Sequence, residues 1–544
     1  MRRFFRLLAA LTLVGMLAPV LPMGVAIADN AVVSAPCGEA EFDAALATAL
    51  MNGGGTITFN CGGPATIFFV GQKTITAPNN VIIDGANLIT LDGSNLTRHF
   101  VVAAGATLEL RNITLSNGYF NGNGGAIENS GTLTIVDSVL RDNVADASAV
   151  DNGGGNAVGG IPAGGAVMNT GTGSVSVTRS TFANNLADAS GFTTAGGSAI
   201  GGIPQGGAIF SLGIMTITDS TFQANVVDAS ASGTGGGTFI GGIPQGGAVM
   251  TLGPGLSISN STFSGNLADA TATALGGGTS AVGGIPQGGA IQLLGPGTTI
   301  THATVTLNTV DATASGATIN ALGIPQGGGI QNLSADLMIG QTIVAGNDVE
   351  DCGPIGTWIS NDYNLDGDGS CPWTQPNDIS NGDADLGPLA DNGGPTLTHL
   401  PLSSSDAVDN GPPACLPTDQ RGEPRPVGLA CDIGAVEVQG TSNFTLCAHL
   451  YTKRVLSPFS GQCGPAQLEL VLPDDLPLAF CIDTYTGIVM YFFGAPCNPP
   501  RQVHIVPDNG DLLTCVNSGT GVNRRVYNHG QCTVGERPNT IAAP

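Results

Sequence analysis

The chain has 544 residues, of which 83 are Gly and only 16 are Lys or Arg, and its formal net charge is -25. An acidic chain without a basic patch repels phosphates, so we expect no nucleic-acid partner. Short alternating runs of Val, Ile, Leu and Thr favour packed β structure over the disorder that a high glycine content can indicate.

Residues 1–28 are predicted to be a signal peptide. Arginines near the N-terminus precede a long apolar run, which ends in the small-residue cleavage site Ala26-Ile27-Ala28. The alternative is an uncleaved membrane anchor, but Pro19 and Pro22 within the run favour cleavage. No later apolar run is long enough to span a bilayer. We therefore expect a secreted or cell-surface protein of bacterial type, without a transmembrane segment in the mature chain.

A capping helix is predicted at 38–52. Phe42, Leu46 and Ala49 follow the spacing of one helical face, and the glycines at 53–55 end it. Many short β-rich runs follow, separated by Gly, Asn, Asp or Pro. One helix before many short strands predicts a solenoid whose open end is covered.

A repeat of roughly 40 residues occupies 124–350. Its turn, Gly-Ile-Pro-x-Gly-Gly, begins at Gly160, Gly202, Gly242, Gly284 and Gly323, at intervals of 42, 40, 42 and 39. Each copy continues to a Phe-x-x-Asn step or a variant of it. The repeated residues are Asn143, Asn185, Asn225, Asn266 and Asn308, with Phe182, Phe222 and Phe263. In a solenoid such residues stack about 4.8 Å apart, so we expect structural ladders of amides and of aromatic rings.

Each repeat also contains an insert rich in Ala, Asp, Ser and Gly, such as 227–245. If one coil fills only part of the repeat, the insert is a loop, and such loops stack along one flank. Alternatively, each repeat is two thin coils. The glycine density favours the loop.

Two sets of motifs resemble known families. Gly-Gly-Ala-Ile/Val, as at 206–209, followed by Phe-x-x-Asn, resembles the repeat of chlamydial polymorphic outer-membrane proteins and related pectin-lyase-like β-helix passenger domains. The stretches 361–373, 387–411 and 418–437 resemble the closing segment of bacterial surface proteins of the choice-of-anchor Q type. The resemblance covers 37–440. It implies a right-handed parallel β-helix at 29–440, with its closing segment at 351–440, and implies no activity.

The 12 cysteines are even in number and form no C-x-x-C zinc motif, which indicates disulfides in an oxidising compartment. Proximity predicts the pairs Cys37/Cys61, Cys352/Cys371, Cys415/Cys431, Cys447/Cys463, Cys481/Cys497 and Cys515/Cys532. The last three pairs recur regularly within 441–544. We interpret that region as a small all-β, cysteine-rich module of three repeats.

Acidic residues are the first candidates for chemistry. Asp188, Asp228, Asp269 and Asp311 recur once per repeat. We interpret them as solvated turn residues that accept local backbone bonds. The alternative is an acidic ladder that binds Ca²⁺ or a cationic partner.

A second acidic group matches the first half of an EF-hand calcium loop. It consists of Asp362, Asn364, Asp366 and Asp368. Trp373 stands where the loop needs its twelfth-position Glu, so we favour a structural loop closed by Cys352 and Cys371. We expect no cofactor, with Ca²⁺ at these residues as the alternative.

The remaining polar residues do not form a recognisable catalytic set. His99, His302 and His399 lie far apart in sequence. Arg421 and Arg425 are close to Asp419 and Glu423, and we expect an ion-pair network there.

Together, these patterns predict a monomeric, non-catalytic exported protein without catalytic residues. Its stacked loops and its C-terminal module are expected to contact an extracellular glycan, matrix or protein surface. The alternative is a polysaccharide lyase or glycoside hydrolase on the same scaffold.

Overall fold

Parallel strands stacked coil upon coil form a solenoid over most of the chain. The computed structural model describes residues 30–334, 336–353, 355–428 and 430–439, together with the backbone of nine strands between 444 and 541. Every pairing between strands of the solenoid is parallel, and strands pair with their equivalents in neighbouring coils. The structure is therefore an all-β solenoid, as the repeats predict.

Three sheets form the walls of the coils. The 18-stranded sheet contains Ala31–Ser34, Gly54–Asn60, Ala65–Phe68, Asn80–Asp92, Thr107–Ser116, Thr132–Val136, Val139–Arg141, Ser174–Thr178, Thr181–Ala183, Ile214–Thr218, Thr221–Gln223, Leu256–Ser264, Thr298–Thr306, Leu337–Gly340, Ile343–Val344, Trp358–Ser360, Leu365–Asp366 and Ile379–Ser380. The 6-stranded sheet contains Tyr119–Asn121, Val144–Asp146, Leu186–Asp188, Val226–Asp228, Leu267–Asp269 and Thr309–Asp311. The 9-stranded sheet contains Lys73–Ile75, Phe100–Val102, Ile127–Asn129, Val167–Asn169, Ile209–Ser211, Val249–Thr251, Ile291–Leu293, Ile330–Asn332 and Cys352–Gly353.

The length of a coil changes along the chain. In the first coils Ile83 pairs with Leu110, and Leu110 pairs with Ile135. From there the coils lengthen, because Ile135 pairs with Val177 and hydrogen-bonded asparagines of successive coils are 39 to 42 residues apart. Each repeat is therefore one coil with an insert, rather than two thin coils.

The one helix in the described ranges, Glu39–Met51, covers the N-terminal end of the solenoid. The Glu41 carboxylate accepts the Gly38 N–H at 2.9 Å and so caps the first turn. Phe42, Ala45, Leu46 and Ala49 are buried on its inner face. Phe42 packs against the ring of Phe69 at 5.1 Å, which places the helix on the first coils.

The interior of the coils is filled by ladders of equivalent apolar residues. The rings of Phe182, Phe222 and Phe263 stack at 4.8 and 4.9 Å, close to the spacing between parallel strands. Leu140 precedes them in register and Val305 follows them. All of these side chains are fully buried, so the ladder is continuous core.

The inserts form a fourth sheet, which we call the insert sheet. Its strands are Ala149–Asp151, Ala157–Val158, Gly191–Thr193, Ala199–Ile200, Ala231–Gly233, Thr238–Ile240, Ala272–Val282 and Ala314–Ala321. The outgoing and returning strands of each insert stack on those of the next. A small core separate from the coil interior lies between them, built from alanines and Phe239. The inserts are thus ordered strands, whereas the sequence predicts loops.

Each insert leaves and rejoins the coil at one point. The second glycine of Gly-Gly-Ile-Pro donates its N–H to an alanine carbonyl at the start of the insert, as Gly202 does to Ala189 at 2.8 Å. A Cβ on the preceding glycine has no room, since at Gly201 it would collide with the Ala229 carbonyl oxygen of the next coil. The repeated turn therefore needs glycine because adjacent backbones touch there.

The closing segment folds back over the 18-stranded sheet. Thr262 donates its hydroxyl to Gln420 Oε1 at 2.7 Å, and Asn260 Nδ2 donates to the Thr418 carbonyl at 2.9 Å. The Ala435 N–H donates to Thr304 Oγ1 at 3.1 Å. One part of the sheet is thus covered by residues far away in sequence.

Three of the six predicted disulfides are present in the solenoid. They are Cys37–Cys61, Cys352–Cys371 and Cys415–Cys431. Their presence is consistent with an extracytoplasmic protein. No helix in the described ranges is long and apolar enough to cross a membrane.

The other three predicted disulfides fall in the C-terminal region. Cys463, Cys497 and Cys532 lie outside the described residues. Of their predicted partners, Cys447, Cys481 and Cys515, the structure describes only the backbone, in three different strands. The pairs Cys447/Cys463, Cys481/Cys497 and Cys515/Cys532 therefore stay predictions from the sequence. The predicted signal at 1–28 likewise lies outside the described residues.

Beyond residue 440 the backbone forms three separate antiparallel sheets of three strands each. Their strands are Phe444–His449, Val455–Leu456 and Gln467–Leu472, then Phe480–Asp483, Val489–Tyr491 and Gln502–Ile505, then Leu512–Asn517, Asn523–Arg525 and Glu536–Ile541. The number of sheets equals the number of repeats predicted for this region.

Candidate functional site

A column of asparagine amides runs through one corner of the solenoid. Each Nδ2 donates to the Oδ1 of the next asparagine at 2.8 to 2.9 Å. The same Oδ1 accepts the backbone N–H of the preceding asparagine at 3.0 to 3.2 Å. The members of this Asn column are Asn143, Asn185, Asn225, Asn266, Asn308 and Asn347. The column is structural, because its amides satisfy backbone groups at a corner where the strand ladders stop.

The Asn column ends at a group of three carboxylates. Asp351 Oδ1 accepts both the N–H and the Nδ2 of Asn347, at 2.9 and 2.8 Å. Asp366 and Asp368 complete the group, and the three carboxylates present oxygens within 4.8 Å of one another. In the part of the chain that the structure describes, this is the one group of His, Cys, Asp or Glu close enough to hold a metal ion.

The electrostatics of this carboxylate group are unusual for aspartates. Burial, helped by the neighbouring carboxylates of Asp368 and Asp366, raises the pKa of Asp351 to about 6, although the hydrogen bonds from Asn347 act to lower it. Burial likewise raises the pKa of Asp366 to about 6. For Asp368 burial also acts to raise the pKa, but hydrogen bonds with Ser370, the Asp351 N–H and Asp366 together outweigh it, so the pKa is lowered. The group therefore holds protons in mildly acidic solution.

The fit to a cation can be judged from the donors around these oxygens. Asp366 accepts the N–H groups of Asp368, Gly369 and Cys371 at 3.0 to 3.2 Å. Asp351 Oδ2 accepts the Gly367 N–H at 3.1 Å. Calcium requires six to eight oxygen ligands, whereas these oxygens already serve as acceptors for backbone amides. The arrangement fits a cap on the Asn column better than a calcium site.

The other two residues of the predicted calcium loop lie elsewhere. Asp362 accepts the N–H and the Nδ2 of Asn377, at 2.9 and 2.7 Å. Asn364 is buried in a different corner, where its Oδ1 accepts the Thr342 N–H and its Nδ2 donates to Asp378. The four residues therefore do not converge as an EF-hand loop requires.

The repeated aspartates form an Asp column along the base of the inserts, with members Asp146, Asp188, Asp228, Asp269 and Asp311. Each Oδ1 accepts the N–H two residues later at 2.7 to 2.9 Å. Burial raises the pKa of Asp188, Asp228 and Asp269. The turn bonds match the sequence interpretation, but the side chains are half-buried rather than fully solvated.

The histidines and arginines named from the sequence are buried in separate places. His99 lies in the first coils, and His302 lies under the closing segment. His399 contacts Ser264 Oγ at 2.9 Å and the Gly387 carbonyl at 2.7 Å. Neither of these contacts faces an open groove, because both Ser264 and His399 are almost fully buried.

Arg421 and Arg425 belong to a buried network in the closing segment. Arg421 Nη2 pairs with the Asp419 carboxylate at 2.7 Å, and Arg425 lies 3.6 Å from Glu437. Glu437, rather than the expected Glu423, is thus the partner of Arg425. The two arginines and their carboxylates are mostly inaccessible, so they hold the segment together.

The insert sheet carries a solvent-accessible surface that is a candidate site for binding another molecule. Its returning strands place Val158, Ile200, Ile240 and Val282 in register. Two glycines after each of these comes a second series, Ile161, Ile203, Ile243 and Ile285, which Ile324 continues in the last copy after Leu322-Gly323. We call these two series the aliphatic columns. Ile200 and Ile240 are each 36% exposed, Val158 is 56% exposed, and Ile161 and Ile324 are each 61% exposed.

A column of amides borders the aliphatic columns. Gln205, Gln245 and Gln287 each donate Nε2 to the Oε1 of the next glutamine at 2.9 to 3.2 Å, and Gln326 is the last acceptor. The five segments from the first aliphatic residue to this amide position contain no Asp, Glu, Lys or Arg. Exposed aliphatic side chains in an uncharged part of an acidic chain indicate a candidate contact site.

Comparison of the chain with protein-family models, with curated proteins and with solved structures finds no match.

Sequence reasoning missed two parts of these sites. Asp351 was not grouped with Asp366 and Asp368, because the Asn column changes residue type there and its spacing falls to four residues. The aliphatic columns were treated as part of a turn. The sequence feature that could have identified them is the recurring pair of aliphatic residues on either side of Gly-Gly, as in 200–203.

Proposed function

We propose that the chain is an exported, non-catalytic surface or secreted protein, a right-handed β-helix of the choice-of-anchor Q type. We propose that its insert sheet binds the surface of an extracellular protein or glycan. The observation that carries this proposal is the pair of aliphatic columns, which are solvent-accessible and uncharged across five coils. An apolar, ordered surface recognises a neutral or apolar partner, and the net charge of -25 repels anionic polysaccharides.

The geometry supports a binding role more than catalysis. The carboxylates of Asp351 and Asp366 are buried and already accept backbone N–H groups. The Ser264–His399 pair is buried between the 18-stranded sheet and the closing segment. Hydrolysis of a glycan requires two carboxylates that flank the bond in an open groove, and these groups do not meet that requirement.

The test is binding of the full chain to immobilised extracellular matrix proteins and neutral glycans. The double variant Ile200→Ser/Ile240→Ser removes apolar contact from the centre of the columns. We expect it to bind at least ~10-fold more weakly than the wild type, since such side chains are worth about 1.5–3 kcal/mol each when buried.

The matched control is Ile214→Ser, which removes an aliphatic side chain that is 58% exposed on the 18-stranded sheet. It should leave binding unchanged. Equal binding by the double variant and the wild type would contradict the proposal. So would turnover of any polysaccharide that a single carboxylate substitution abolishes, which would favour the lyase or hydrolase alternative.

A further inference from the structure

The insert sheet ends in an unprotected strand. Ala314–Ala321 is its last strand and pairs only with Ala272–Val282 within the described part of the chain. Six of its eight residues are exposed. The following coil turns directly from Asn347 to Asp351, so it adds no further insert strand to cover that edge.

The chemistry of this edge differs from that of the other end of the sheet. Residues 312–335 contain no Asp, Glu, Lys or Arg, although the chain as a whole is strongly acidic. At the opposite end, the first insert strand ends in Asp151, whose carboxylate accepts the N–H groups of Gly153 and Gly155 at 3.0 and 2.7 Å. Charged residues are a common protection against edge pairing, and only the first strand has one.

Apolar side chains lie along and beside the open edge. Ile319 and Leu322 are 61% and 75% exposed. Asn320 bonds both backbone groups of Ala317, at 3.1 and 2.9 Å, and so satisfies one residue of the strand from within. The rest of the strand presents a long, uncharged edge of the kind that receives an added strand in β-augmentation.

We propose that this edge pairs with the same strand of a second copy of the chain, antiparallel and around a two-fold axis. A strand paired with its own copy is self-complementary, so Ile319 and Leu322 of both copies can meet across the ladder. Two acidic molecules repel each other at most surfaces. Here the charge-free stretch 312–335 allows two backbones to approach. The proposed dimer differs from the monomer expected from the sequence, and the sedimentation experiment below distinguishes the two.

The edge is separate from the aliphatic columns, so failure of this pairing leaves the proposed binding function untouched. The experiment measures the mass of the purified chain by sedimentation between about 1 µM and about 200 µM, because a small interface gives a concentration-dependent dimer. We expect the mass to rise towards twice the monomer value. A peptide with the sequence of residues 312–324 should reverse the rise by occupying the edge.

Two variants locate the contact. Ile319→Lys places a charged side chain from each copy in the apolar contact, and Thr318→Pro removes a backbone donor from the edge strand, so both should remain monomeric. Val150→Lys introduces the same charge in the first strand of the insert sheet, where the side chain is 63% exposed and belongs to neither surface, and should dimerise like the wild type. Circular dichroism spectra and melting temperatures establish that the variants fold.

Three outcomes would overturn the proposal. The first is a wild type that stays monomeric over the whole range, whether or not it binds the peptide. The second is dimerisation that survives both edge variants. The third is dimerisation lost in Ile200→Ser/Ile240→Ser but kept in Ile319→Lys, which would assign the contact to the aliphatic columns.

Discussion

Asn225, in the middle of the Asn column, offers a direct test of how the solenoid is held together. Its Nδ2 donates to Asn266 Oδ1 at 2.9 Å and to the Phe182 carbonyl at 3.0 Å. Its Oδ1 accepts the N–H and the Nδ2 of Asn185, at 3.1 and 2.9 Å. The side chain is fully buried, so water cannot replace these bonds.

The substitution Asn225→Ala removes all four bonds. The Asn185 N–H and the Phe182 carbonyl lose the partner that Asn225 supplied, and each such buried group costs about 1–3 kcal/mol. We expect a loss of roughly 2–6 kcal/mol in the free energy of unfolding, independent of pH. The measurement is urea denaturation followed by circular dichroism and by tryptophan fluorescence, whose coincidence tests the two-state assumption.

The substitution Asn225→Asp separates donor from acceptor. A carboxylate still accepts both bonds from Asn185, but it faces two oxygens, Asn266 Oδ1 and the Phe182 carbonyl, where the amide donated. The pKa of the introduced carboxyl should therefore rise in the folded state, as it does for Asp351, which takes the same place at the end of the column and has a pKa of about 6. A raised carboxyl pKa stabilises the protonated form, so the cost grows as pH rises through the folded pKa.

With an unfolded pKa of about 3.9 and a folded pKa near 6, Asn225→Asp should be roughly 1–2 kcal/mol less stable at pH 7.5 than at pH 5. The control is Asn152→Ala, at an exposed asparagine in the first insert, which should change stability by less than about 0.5 kcal/mol. An Asn225→Ala cost as small as that of the control would refute a structural Asn column. An equal cost of Asn225→Asp at both pH values would refute the assigned donors and acceptors.

Three further substitutions test the carboxylate group, the aromatic ladder and the repeated turn. Burial holds the pKa of Asp351 at about 6, so the wild type should melt at a lower temperature at pH 7.5 than at pH 5, and Asp351→Asn should reduce this pH dependence. Phe222→Ala removes the middle ring of the stack and should cost about 3–5 kcal/mol in urea denaturation. Gly201→Ala should lower the melting temperature, because its Cβ would collide with the Ala229 carbonyl oxygen. Gly153→Ala, where a Cβ would meet nothing within 4 Å, should not.

The solenoid itself could be predicted because its signals repeat. The regular return of Gly-Ile-Pro and of Phe-x-x-Asn shows which residues are equivalent, and equivalent residues of a solenoid must stack. Phe182, Phe222 and Phe263 lie in register for that reason. The corner amides were recognisable in the same way.

The insert sheet could not be predicted from local pattern. Its strands are short and contain mostly Ala, Ser, Thr and Gly, so they lack the alternation of large apolar and polar residues that marks a strand. Ala199–Ile200 has only two residues and is a strand because Ala157–Val158 and Phe239–Ile240 lie beside it in neighbouring coils. Such order comes from stacking between repeats, which the composition of one repeat does not reveal.

The Asp351 group was missed for a related reason. Asn347 continues the Asn column, but its acceptor lies only four residues further along the chain instead of in the next repeat. At the end of the column the next acceptor is the carboxylate of Asp351 instead of an asparagine amide, so the recurring Asn that identified the column in the sequence is absent there. A carboxylate suits that position because it only accepts hydrogen bonds, whereas an amide there would present further donors.

The distribution of charge connects the fold to the proposed contacts. Many aspartates are used inside their own turns, as when Asp84 accepts the Ala86 N–H, Asp92 accepts the Ser94 N–H and Asp188 accepts the Ser190 N–H. Carboxylates that accept hydrogen bonds from their own turns stabilise the backbone there and repel other acidic molecules, but they are poorly placed to bind a ligand. Close contact with another molecule is then easiest where the chain carries no charge. The described structure places two such surfaces on the insert sheet, one on the aliphatic columns and one at its open edge, and that is why both proposals lie there.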